Sequence, residues 1–158
     1  GMAAVSLLQW GKTVQGGSSM RTFLDYYRRK LQPQIEMIDL FLKTEEPPYT
    51  QAAVAAVLGL SVTALAEHMR AEQLACITRG VFFRLLQESE LPLGKMLQRA
   101  VLCGLPQEYT PQTVAYIFGL PLSAVAAAAE KTGLSSCKEK ELPVLFSQIM
   151  LCETQYHP

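Results

Sequence analysis

The sequence predicts a mostly α-helical protein built from two consecutive units, each a helix, a tight turn and a second helix. Three observations carry that prediction. YTQAAVAAVLGLSVTALAEHM, beginning at Tyr49, and YTPQTVAYIFGLPLSAVAAAA, beginning at Tyr109, align without a gap sixty positions apart. They share Tyr49/Tyr109, Thr50/Thr110, Val54/Val114, Ala55/Ala115, Gly59/Gly119, Leu60/Leu120, Ala64/Ala124 and Ala66/Ala126. Apolar residues also recur at helical spacing along most of the chain. Finally, 158 residues that are 49% apolar can build a packed core, yet each half is small enough to gain from packing against the other.

Taken in order, SLLQW and Gly16-Gly17-Ser18-Ser19 are expected to form a flexible N-terminal segment over 1–19. Ser19 is an expected N-cap for a helix carrying Phe23, Leu24, Tyr27 and Leu31, with Arg28-Arg29-Lys30 in its last turn. Pro33 is expected to interrupt it. Ile35, Ile38, Phe41 and Leu42 define a second amphipathic segment, stopped by Glu45-Glu46-Pro47-Pro48. Thr50 then caps a helix to Leu58, Gly59 allows the reversal, and Ser61 caps a helix to about Arg70. LACITRGVFFRLLQ, with β-branched and aromatic residues around Thr78-Arg79-Gly80, reads as a short hairpin.

The second unit repeats this order. A helix is expected from Leu93 to Cys103 with Gly104 at its end, then Thr110 to Phe118, Gly119, and Leu122 to Lys131. LSSCKEKELPVLF would be a degenerate hairpin because Pro143 cannot donate to a ladder, and Leu145 to Leu151 a terminal helix. The expected organisation is therefore 1–19, then 20–92, then 93–158.

Charge narrows the function classes. Fourteen basic residues balance fourteen acidic ones, and only 18% of the chain is charged, so no overall basic field draws it to nucleic acid or anionic lipid. Residues 35–92 hold four basic and eight acidic side chains, a net of minus four; residues 93–152 hold five against four, a net of plus one. Cys76, Cys103, Cys137 and Cys152 lie too far apart for metal knuckles, with only His68 and His157 to join them, and read as buried free thiols. No basic residue precedes the apolar run Ala3 to Leu8, so no signal peptide is expected, and Ala52 to Leu60 is too short for a membrane span. A cytoplasmic protein is expected. No glycine-rich phosphate loop, HExxH or GxSxG is present, so neither catalysis nor a cofactor is expected.

The motif has a physical logic. Two helices crossing over a short turn need a small residue at the crossing, here Ala55 and Ala115, and a glycine in the turn, here Gly59 and Gly119. Val54, Leu58, Leu60 and Leu65, matched by Val114, Phe118, Leu120 and Val125, would form the shared core. YTQAAVAAVLGLSVTALAEHM resembles the helix-turn-helix of bacterial transcription regulators and of the promoter-reading domain of sigma factors, and LACITRGVFFRLL is similar to the wing of winged-helix regulators. The resemblance covers residues 34–87 and, more weakly, 93–148. It implies two tandem, winged-helix-like helix-turn-helix units with a short β-hairpin wing, packed as a pseudo-repeat.

The same resemblance implies that the second helix enters the major groove of double-stranded DNA. The positions carried over are Ser61, Thr63, Ala64, Glu67, His68 and Arg70, with Arg79 at the wing tip. Glu67 would repel phosphate, and the matching helix of the second unit, with Ala124, Ala127 and Ala128, offers almost nothing to a base pair. The sequence therefore supports two readings: a DNA-binding regulator using the first unit, or a non-catalytic interaction or scaffold protein whose units no longer bind DNA. A mean hydropathy of +0.15 points to apolar surface covered by a second copy or another protein.

Overall fold

A computed structural model of the chain describes residues 20–158. The segment 1–19 and the expected Ser19 cap lie outside the described residues. The fold is mostly helical, with two small antiparallel two-stranded sheets among the described residues, and divides into two compact units: Lys30–Gly104, and residues 20–29 together with Leu105–Pro158. The helix that follows the first unit's core in sequence therefore groups with it rather than with the residues after it.

The chain enters its described part through β1 (Met20–Thr22) and α1 (Phe23–Tyr26), where Thr22 accepts a hydrogen bond from the Asp25 amide. Pro33 does not break the helix as expected. A π-turn over Tyr27–Leu31 leads directly into α2 (Gln32–Thr44), which places the proline in the first turn. There its missing N–H costs nothing.

In the unit Lys30–Gly104, α3 (Gln51–Leu58) and α4 (Val62–Ala71) meet at a bend of 110°. Thr50 and Ser61 cap them by accepting from the Ala53 and Ala64 amides at 3.1 and 3.0 Å. Gly59 has φ +70°, so the Leu60 amide can reach back to the Ala55 carbonyl at 2.8 Å and close the helix end. Ala55 is buried, as close helix crossing requires, and Val54, Leu58 and Leu65 join Phe41, Tyr49, Ile77 and Phe82 in one core. Leu60, expected in that core, is 38% exposed.

The expected hairpin over Leu74–Gln87 is absent. Thr78 is an N-cap, accepting from the Val81 amide at 3.2 Å, and Arg79–Glu88 form helix α5. Phe82, Leu85 and Leu86 recur at helical spacing and are buried together, and that burial outweighs the β preference of the aromatic and branched residues. What remains of a sheet is a single bridge, Tyr49 to Ile77. Helix α6 (Pro92–Leu102) packs on α5.

In the other unit, β2 (Glu108–Tyr109) precedes α7 (Pro111–Phe118) and α8 (Leu122–Thr132). Thr110 caps α7 through the Thr113 amide at 3.2 Å, Gly119 has φ +67°, and the Leu120 amide reaches the Ala115 carbonyl at 3.0 Å. Pro121 stands where Ser61 stood, so α8 has no side-chain cap. The second expected hairpin is also absent: β3 (Cys137–Lys138) pairs with β2, and a 3-10 turn leads into α9 (Leu142–Phe146) with Pro143 in its first turn. The expected terminal helix from Leu145 to Leu151 ends at Phe146, and β4 (Met150–Cys152) pairs with β1 instead. Phe23, Phe118, Phe146 and Tyr156 interlock edge to face in this core.

Candidate functional site

The surface to which the sequence points is the outer side of α4. Ser61, Thr63, Ala64, Glu67 and Arg70 are all exposed there, with Val62 49% exposed among them. The Ser61 hydroxyl is engaged as the helix cap. His68 is partly exposed and turns toward the end of α5, where its Nε2 lies 3.5 Å from Glu88 Oε1. Arg79, expected at a wing tip, is instead the first residue of α5; it is exposed but belongs to no wing.

Between α4 and the end of α5 lies a cavity of about 250 Å³ lined by Leu60, Ala64, Leu65, Leu85 and His68, with Glu88, Ser89 and Glu90 at its edge. Its floor is apolar and its charged edge is acidic. Ser89 donates to the Leu86 carbonyl at 2.7 Å and accepts from the Leu91 amide at 3.3 Å, so the serine shapes the turn and is spent on it. Leu60 is expected from sequence in the core rather than at a surface groove, and Leu85, Glu88 and Glu90 are not among the site residues the sequence indicates. Reading residues 74–87 as a hairpin hid them, although Thr78 followed by apolar residues at helical spacing carries the signal of a capped helix.

Within the basic run Arg28-Arg29-Lys30, Arg29 is held by carboxylates. Arg29 bonds Asp25 at 2.9 Å and also pairs with Glu153. The Arg29 guanidinium, with Arg21 beside it, holds the Asp25 carboxyl below its ordinary range. The cysteines are unpaired, but only Cys137 is buried; Cys76 and Cys103 are exposed, one in a loop and one at the end of α6, and Cys152 is intermediate. Burial pushes the Cys137 thiol up, with Glu141 adding to the shift. Among the described residues, no group of three or more His, Cys, Asp or Glu could hold a metal ion, and no single helix is long and apolar enough to cross a membrane.

Comparison with protein-family models gives no match, and neither does comparison with curated proteins or with solved structures.

Proposed function

We propose that the chain is a non-catalytic protein-interaction module made of two helix-turn-helix units related as a pseudo-repeat, and that the groove between α4 and the end of α5 receives a partner chain. The repeat is supported by paired features sixty positions apart: caps at Thr50 and Thr110, left-handed glycines at 59 and 119, and backbone pairing of Tyr49 with Ile77 and Tyr109 with Cys137. The observation that carries the function is the groove itself. An apolar floor rimmed by Glu88 and Glu90 suits an apolar side chain flanked by cations, since apolar burial supplies affinity and the rim charge sets orientation. The same rim opposes a phosphate backbone.

The test is selection from a displayed peptide library against the full chain. Enrichment of peptides combining an apolar anchor with Lys or Arg, and their loss in Glu88→Lys/Glu90→Lys, is the expected result. Peptides recovered equally well by that variant, or no enrichment at all, contradict the reading.

The DNA-binding regulator is the second reading. Favouring it are the exposed Ser61, Thr63, Ala64 and Arg70 along a helix set at a steep angle to its predecessor. On that reading His68 and Arg79 add contacts. Fluorescence anisotropy with mixed genomic duplexes at low salt would then show binding that weakens as salt rises and falls in Arg70→Ala/Arg79→Ala.

A further inference from the structure

The β1–β4 pair brings together side chains of one chemical kind. Its register sets Met20 opposite Cys152 and Thr22 opposite Met150. Residues directly opposite, and residues two apart along a strand, project from the same face of a sheet. Leu151 is buried on the other face, whereas Met20 and Met150 are 55% and 52% exposed. Two thioethers and a thiol therefore stand together on the outward face. Directly opposed Cβ atoms lie about 5 Å apart and strand neighbours two apart about 7 Å. Flexible methionine side chains can close such gaps around an ion.

The same three side chains line a cavity of about 490 Å³, and His157 lines it too. Tyr156 anchors the chain beside it: its hydroxyl donates to the Phe118 carbonyl, and its ring packs edge-on against Phe23 and Tyr26. Among the described residues, no carboxylate lines this cavity. Hard cations thus find no charged oxygen there, and a borderline ion such as Zn²⁺ finds one thiol and one imidazole. Thioether and thiolate sulfur select soft ions.

We propose that Met20, Met150, Cys152 and His157 form a binding site for a soft monovalent cation, Cu(I). Binding displaces the Cys152 thiol proton to solvent and changes no oxidation state. Thr154 Oγ1, 3.4 Å from Cys152 Sγ, is placed to donate a hydrogen bond to the resulting thiolate. No local sequence pattern announces this group, because Met20 is distant from Met150 and Cys152 until the strands pair.

The experiment is anaerobic titration of Cu(I) in competition with bicinchoninate, using the full chain carrying Cys76→Ser and Cys103→Ser so that the two exposed thiols do not contribute. The chain is expected to withdraw a single equivalent of Cu(I) from the chelator, with Zn(II) failing to compete. Met20→Leu/Met150→Leu is expected to weaken binding at least roughly tenfold, and Cys152→Ser to abolish it. Both methionines are largely exposed, so their replacement leaves the fold intact and the comparison does not depend on how Cys152→Ser behaves. Failure to withdraw Cu(I), displacement by Zn(II), or unchanged affinity in the double methionine variant would overturn the proposal.

Discussion

Gly94 lies so close beneath Leu86 that a Cβ built on it would come within 2.1 Å of the Leu86 carbonyl oxygen, and within 2.9 Å of Ser89 Oγ. That contact is what lets α6 pack on the end of α5. Gly59 is a glycine for a different reason: nothing lies within 4 Å of its missing Cβ, but its φ is +70°. Gly94→Ala is therefore expected to cost about 3 kcal/mol, because backbone must move, and Gly59→Ala about 1 kcal/mol, the left-handed penalty alone. Urea denaturation of both variants checks the order, and equal costs would refute the close approach.

The caps give a second expectation. Thr50→Ala and Thr110→Ala each remove the side-chain acceptor of one helix amide and should each lower stability by about 1 kcal/mol. Ser61→Ala should do the same. Pro121→Ser, by contrast, adds a cap that α8 lacks and should stabilise rather than weaken the chain. Chemical denaturation of the four variants measures this, and a stability loss in Pro121→Ser would contradict it.

These caps also mark how far the sequence could be read. Helices α3, α4, α6, α7 and α8 were legible because each has a capping residue or proline at its start, or glycine at its end, together with apolar spacing that agrees. Helix α5 was misread because Arg79-Gly80 looks like a turn tip, while the decisive quantity is the joint burial of Phe82, Leu85 and Leu86. The sheets were missed for a related reason. Met20–Thr22 finds its partner at Met150–Cys152, and no local pattern announces a pairing across the length of the chain. The α4 side chains named from sequence are exposed, but the acidic edge beside them comes from the end of α5 and the turn after it, and only folding brings it there.

Thiol reactivity should separate the cysteines. Cys76 and Cys103 are exposed, so iodoacetamide should modify them in the native state. Cys137 is buried and its thiol pKa is raised above the ordinary value, so it stays protonated as pH rises through the range where free thiols ionise, and reacts only on unfolding. Peptide mapping by mass spectrometry reads each site; native modification of Cys137 at the rate of Cys76 would contradict the burial.

Asp25 predicts a pH effect of defined sign. Its folded pKa is lowered, first by the Arg29 hydrogen bond, so its contribution is present above the unfolded carboxylate pKa and is lost as pH falls through the folded one. Acid titration of urea midpoints for the wild type and Asp25→Asn should show the two converging below the folded pKa and separating above it. A constant gap across that range would refute the Arg29 linkage.

The most direct test of the interaction reading is amide chemical-shift mapping on the labelled full chain, titrated in parallel with a cationic, apolar-anchored peptide and with a mixed DNA duplex at low salt. The peptide is expected to shift Leu60, Ala64, Glu88 and Glu90, and the duplex to leave α4 unmoved. Duplex-induced, salt-sensitive shifts at Thr63 and Arg70, with the groove residues silent toward peptide, would contradict it.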